Sequence, residues 1–322
     1  MNCENFTFTD STGKQIYAFK WFAKDQLSPK AIIQIAHGMA EHAARYERFA
    51  EALVKEGFIV YANDHRGHGR TAGSIENTGH FSDNNGWNLV IEDMHELTNI
   101  IKKKYPNIPL ILFGHSMGSL LSRSYVMMVR QAHHRYADEL QGLILSGTNF
   151  YPHLLTSLGS CIAGIQRFFM GKNHKSKLLD QLSFGSFNKK FKPNRTAFDW
   201  LSRDPVEVDK YVADDYCGFL CSTQFFKDLF YGLKQIHKSV TFTQIPVVLP
   251  ILIFSGECDP VGGFTKGVNL FFKKLSGAGK QNIVLKFYQN GRHEMLNEIN
   301  REEVFSDMVK WLNDNIVNSY KE

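Results

Sequence analysis

Cysteine is scarce in this chain, and so are long apolar runs. Five cysteines among 322 residues (Cys3, Cys161, Cys217, Cys221 and Cys258) are too few, and odd in number, for a disulfide framework. They fit a reducing, intracellular setting, so the expected location is cytoplasmic. Cys217 and Cys221 are four residues apart, which places them on one face of a helix if that stretch is helical. They read as packed helix residues rather than a metal pair, because no second ligand pair accompanies them. The longest apolar stretch, Ile245 to Phe254, is broken by Pro246 and Pro250 and falls short of the about 20 residues of a membrane-spanning helix. The opening residues, Met1 to Asn5, have neither a basic nor an apolar region, so no secretory signal is expected, and Cys3 lacks the apolar leader of a lipid anchor. There is no collagen period, low-complexity tract or internal repeat, and the aromatic content is too high for a disordered chain.

What is present is a composition that is 43% hydrophobic and 21% charged, enough for one large domain or a core with an insertion. The net charge of +5 lies in the middle of the chain, where residues 150–240 hold 13 Lys or Arg against 8 Asp or Glu. No basic stripe with a matching motif accompanies it, so no nucleic-acid partner is expected.

Period and turn chemistry predict the elements. Phe6–Phe8 and Gln15–Phe22, around the turn residues Asp10 to Gly13, read as a hairpin. Ala31–Ile35, Phe58–Ala62, Leu110–Phe113 and Gly142–Ser146 are buried strands. Helices are expected at Tyr46–Glu56, Trp87–Lys104 and Leu120–Gln131. The alternation breaks between Phe150 and Val240, where the pieces are helical and rich in aromatics. Strands return at Ile251–Phe254 and Ile283–Phe287, with helices at Thr265–Leu275 and Arg301–Ile316. The reading is an α/β fold, a mostly parallel sheet with helices on both faces, whose core is 1–149 and 241–322 and whose inserted helical subdomain is 150–240.

The strongest chemical signal is Gly114-His115-Ser116-Met117-Gly118, with a strand before it and a helix after it. This is the setting of a nucleophile elbow, with Gly114 and Gly118 demanded by the tight turn. A serine needs a base, and the base an orienting acid. In this architecture they follow in the order acid, then histidine. Asp259 lies just past the strand Ile251–Phe254, fixed by Pro260, and is preferred over its neighbour Glu257. His293 lies in the loop after the last strand. Backbone donors for a developing oxyanion are expected from Met117 and from Met39 in the loop after the early strand.

These residues resemble the α/β-hydrolase superfamily. His37-Gly38-Met39-Ala40-Glu41-His42 with Arg45-Tyr46, Asp64-His65-Arg66-Gly67-His68-Gly69, and Arg292-His293-Glu294 with Leu296-Asn297-Glu298 resemble its monoacylglycerol lipase and lysophospholipase branch, a group filed with serine aminopeptidases. The resemblance covers the core and fades across the insert, which in that family is a cap that sets substrate choice. Ser119 departs from it, where many relatives carry glycine. The resemblance implies the α/β-hydrolase fold and a serine hydrolase, without cofactor, that cleaves esters of single-acyl lipids through an acyl-enzyme. The alternatives are a proline-type aminopeptidase, using cap carboxylates such as Asp199, Asp204, Asp214 and Asp215 to hold an ammonium, a general short-chain carboxylesterase, or a non-catalytic binding protein.

Asp64, His65 and His68 lack further ligands for a metal, and His37, Glu41 and His42 match no zincin spacing, so no metal is expected; Glu41, His42 and Arg45 read as ties for the oxyanion loop. In the cap, Leu154, Leu155, Leu158, Cys161, Ile162, Ile165, Phe168 and Phe169 fall on one helical face. The simpler expectation is that this face packs over the site, with Lys172, Lys175 and Lys177 as a solvated rim. The sharper one is peripheral contact with an anionic membrane.

Overall fold

The computed structural model describes residues 1–24, 28–128, 135–150 and 153–319, without the side chains of 153–155 and 239. The chain opens with the hairpin β1 (Asn2–Thr9) and β2 (Gln15–Phe22). Its turn is closed by the Asp10 carboxylate, which accepts from the Thr12 and Lys14 amides, and by Gly13 at φ +83°. Then follow β3 (Ile32–Ala36), α1 (Glu47–Lys55), β4 (Ile59–Asn63), α2 (Gly86–Lys104), β5 (Leu110–His115), α3 (Met117–Met127) and β6 (Gly142–Ser146). A run of helices comes next: α4 (His153–Met170), α5 (Lys177–Phe184), α6 (Pro205–Ala213), α7 (Thr223–Ile236) and α8 (Ser239–Gln244). The sheet resumes with β7 (Ile251–Gly256), α9 (Lys266–Gly277), β8 (Ile283–Tyr288) and α10 (Arg301–Leu312).

The eight strands lie in the order β1-β2-β4-β3-β5-β6-β7-β8, antiparallel at β1, β2 and β4 and parallel from β4 onward. β3, β4, β5, β6 and β7 are buried along their whole length, which is why they read as continuous apolar runs. The strand alternation splits their side chains between two cores. Ile32, Leu112, Leu145 and Ile253 meet α2, α3 and α9 on one face. Ile33, Phe113, Ile144 and Phe254 meet α1 and α10 on the other.

α3 begins three residues earlier than the pattern suggested, directly at the elbow, and Gln131 lies outside the described residues. At the chain's end the α-helical hydrogen bonding stops at Leu312 and widens into a π turn over Asn313–Val317.

Two expectations are corrected. Cys217 and Cys221 do not share a helix face, since both lie in the loop before α7 and only Cys221 is buried. The apolar face of α4 packs over the site only in part: Ile162 and one side of Leu158 line the cavity at Ser116, and the rest of the face does not. The side chains of Leu154 and Leu155 lie outside the described residues, but Leu158, Cys161, Ile165, Phe168 and Phe169 point to solvent, with Phe168 82% exposed. The contact face is instead the small-residue side: Ala163 is fully buried, and Gly159 lies against the Phe230 ring of α7. Small side chains allow the closer approach of two helices, and that outweighs the pull of the apolar stripe.

Candidate active site

The carboxyl ends of the parallel strands converge on one region, where open α/β sheets place their ligands. β5 leads directly into Ser116, which has φ +52° and ψ −120°, a strained conformation for a non-glycine residue. Its amide donates to the Ser146 carbonyl at 2.9 Å, holding the turn to β6. A Cβ at Gly118 would run into the carbonyl oxygens of Ala36 and His37, and one at Gly114 into the Gly118 carbonyl. The two glycines are thus required by backbone crossing. Ser119, the departure from the family pattern, is buried and donates its hydroxyl to the Ser116 carbonyl at 2.6 Å.

Asp259 follows β7 and is fully buried. Its Oδ1 accepts from the Val261 amide at 2.8 Å, and its Oδ2 from the Ser255 hydroxyl at 3.2 Å and from His293 Nδ1 at 3.0 Å. Glu257, the rival, is exposed and accepts from the Asn290 amide. His293 is buried between the rings of His115 and Trp200, with centroids 4.8 and 5.2 Å away. Burial opposes a charge on its imidazole, but the Asp259 carboxylate and its hydrogen bond, with Glu294 and Glu41 behind, prevail and raise its pKa. His115 has no such partner; burial and the neighbouring His293 drive it down to about 3.

Met39, in the turn after β3, lines the same cavities as Ser116. Met117 is the first residue of α3, so its amide is one of those a helix leaves without an internal acceptor. The Met39 turn is anchored from below. Glu41 accepts from the Gly38 amide, from Tyr46 Oη at 2.8 Å and from Arg45 at 2.6 Å, and Arg45 grips Glu294 through two bonds of 2.8 and 2.7 Å. Beneath it the His37 and His65 rings lie 4.1 Å apart, with His68 alongside. Burial drives all three toward the neutral form, His65 to about 3 and His68 to about 4. The two Asp64 oxygens accept from the amides of Ala43 and Arg70.

Two cavities meet at Ser116, Met39 and Phe184. One, of about 380 Å³, is walled by apolar side chains of α3, α4, α5 and α7, among them Leu120, Ile162, Leu182 and Leu233. The other, of about 210 Å³, is more polar and is lined by Glu41, Asp180, Tyr211, His293 and Glu294. The chemistry available at the junction is attack by a hydroxyl on a carbonyl, flanked by one apolar and one polar substituent.

The helical insert reaches the site through residues 197–219. The Glu294 and His293 amides donate to the carbonyls of Leu201 and Trp200, and the Tyr211 hydroxyl donates to the Ala40 carbonyl at 2.9 Å. Ion pairs Arg48–Glu207, Arg203–Glu298 and Arg301–Asp204 fasten it to the core. The carboxylates considered for an ammonium are therefore occupied or remote. Asp199 holds the Arg195 and Thr196 amides, Asp204 pairs with Arg301, Asp214 with His42 at 2.8 Å, and Asp215 is exposed. The donor atoms of His42, Asp214 and Cys217 lie within 4.8 Å of one another. Burial raises the Cys217 thiol far above its ordinary value, and the His42–Asp214 pair ties the insert to the loop after β3. Sequence reasoning missed Asp180, which the only available signal, a lone acid in a basic run, did not distinguish.

Residues 27–300 match the family model described as "Serine aminopeptidase, S33". The chain is 28% identical over 287 residues to a monoacylglycerol lipase of Mycolicibacterium smegmatis, covering 88% of each chain. It is 25% identical over 303 residues to the monoglyceride lipase of Rattus norvegicus, covering 93% of this chain and 88% of that one. Among solved structures it is similar to a thermostable carboxyl esterase from Bacillus coagulans in complex with glycerol, with a TM-score of 0.88 and 28% identity over 98% of this chain and 99% of the other. With its eight-stranded sheet, its elbow serine and this match over most of its length, the chain belongs to the serine aminopeptidase S33 family of α/β hydrolases.

Proposed function

We propose that this chain is a serine carboxylic-ester hydrolase of single-acyl lipids, monoacylglycerols first among them, acting through an acyl-enzyme on Ser116. The observation that carries the reading is the meeting of an apolar and a polar cavity at Ser116. An acyl chain fills the first and the alcohol part the second, which sets the ester carbonyl at the hydroxyl. Relatives named for monoacylglycerol hydrolysis, and a similar esterase solved with glycerol, support the substrate class.

In this mechanism His293 takes the Ser116 proton as the hydroxyl attacks. Asp259 fixes the tautomer with Nδ1–H toward the carboxylate and stabilises the imidazolium. The Met39 and Met117 amides receive the oxyanion, helped by the positive end of α3. His293 then gives its proton to the leaving alcohol and later draws one from water. The residues 150–240 act as a cap over a core of 1–149 and 241–322. The aminopeptidase reading is disfavoured by the engagement of Asp199, Asp204 and Asp214. A short-chain esterase would not need an apolar cavity of about 380 Å³.

The cap also offers a membrane-facing surface. Phe168 and Phe169 are 82% and 78% exposed, beside Ile165, Met170 and Leu178. Leu158 and Leu182 belong both to this surface and to the wall of the apolar cavity, so a lipid tail has a continuous apolar path. No described helix is long and apolar enough to cross a membrane. The test is fatty-acid release from monoacylglycerol and lysophosphatidylcholine side by side, with Ser116→Ala as blank. Preference for monoacylglycerol is expected; turnover that survives Ser116→Ala overturns the assignment.

A further inference from the structure

The polar cavity contains one carboxylate that the mechanism does not use. Asp180 lies on α5, whose Leu179, Leu182 and Ser183 line the apolar cavity, while Asp180 itself lines the polar one with Ser116 and His293. The other two acids of that wall, Glu41 and Glu294, are both spent on Arg45. The Asp180 carboxylate is half-buried and has no hydrogen-bond or ion-pair partner among the described residues. Burial raises its pKa above the ordinary carboxylate range. No lysine or arginine lines this cavity among the described residues, although the outer surface of the same segment is basic.

We propose that Asp180 is a specificity residue for the alcohol part of the substrate: it accepts hydrogen bonds from an uncharged polyol and repels a phosphorylated one. This rests on the acyl-ester reading above and narrows it. A partly buried carboxylate has unused acceptor capacity, and vicinal hydroxyls are donors that satisfy it. A phosphate brings like charge into a wall with no free cation, where water screens poorly. Basic residues outside and an acid within divide the tasks: the surface attracts an anionic bilayer, and the cavity rejects anionic head groups.

The experiment compares 1-acylglycerol with 1-acylglycerol 3-phosphate of the same acyl chain in the same mixed micelles. The unmodified chain is expected to favour the uncharged ester. Asp180→Asn is expected to lower kcat/KM for the acylglycerol and raise it for the phosphate, shifting the ratio by about tenfold or more, as removal of a like charge from the cavity wall predicts. Asp180→Glu, which keeps the charge, is expected to preserve the ratio. A merely structural role moves both esters together, so an unchanged ratio in Asp180→Asn, in protein that still takes a fluorophosphonate label, overturns the proposal. No release from either ester by the unmodified chain would instead overturn the acyl-ester reading on which this one stands.

Discussion

Lowering the pH should destabilise this protein through its buried neutral histidines. His65, His68 and His115 are depressed to about 3, about 4 and about 3. An unfolded histidine has a pKa of about 6.5, so between that value and the folded one the unfolded chain binds more protons. Their stabilising effect is therefore complete above about pH 6.5 and is lost as pH falls. Going from about pH 8 to about pH 5 costs about 2 kcal/mol for each, about 6 kcal/mol together. Asp93 and Asp228, raised to about 6, work in the opposite sense, since the native state binds their protons first; together they return about 3 kcal/mol. His37, also driven neutral, adds to the loss, and the raised His293 offsets part of it. The balance is a loss of about 3 kcal/mol, or a fall in Tm of about 4 to 5 °C for a chain of 322 residues. Thermal unfolding across this pH range measures it. His115→Asn removes one of the three sites and should flatten the dependence by about 2 kcal/mol. A stability that rises toward pH 5, or an unaltered slope in His115→Asn, would refute the assignment of these imidazoles as buried and neutral.

Two further outcomes follow from the packing. Gly118→Ala drives a methyl group into the carbonyls of Ala36 and His37, so it should cost about 2 kcal/mol or more in denaturant titrations and suppress labelling of Ser116; a fully active, equally stable variant would contradict the tight crossing at the elbow. Phe168→Glu with Phe169→Glu should weaken co-sedimentation with anionic vesicles while sparing hydrolysis of a water-soluble ester, and equal sedimentation of the unmodified chain with neutral and anionic lipid would remove the membrane surface.

Much of the core was legible because its signals are local and physical. Continuous apolar runs mark strands buried on both faces, and two of the proposed catalytic residues follow such strands, Ser116 after β5 and Asp259 after β7, while His293 follows the part-exposed edge strand β8. Glycine at 114 and 118 announced a crossing of backbones that the structure contains. The cap was less legible because periodicity reports that a helix has an apolar stripe and not what the stripe faces. In α4 the choice fell to Gly159 and Ala163, whose small size lets the helix sit against Phe230 of α7 and turns Phe168 outward. The Cys217–Cys221 spacing suggested a helix where a loop runs, because no helical pattern around it had been required. The roles of Asp204 and Asp214 depend on partners far away in the chain, Arg301 and His42, and that of Asp180 on having none among the described residues, and spacing along a sequence carries no trace of either.

The account's central claim is that Ser116 is a nucleophile activated by His293. The most direct measurement is the rate at which a fluorophosphonate modifies the protein, with the adduct located by peptide mass spectrometry, in the unmodified chain and in His293→Ala. The account predicts a single adduct on Ser116, formed about a thousandfold more slowly in His293→Ala. An adduct elsewhere, or one formed on Ser116 at an undiminished rate without His293, would contradict it.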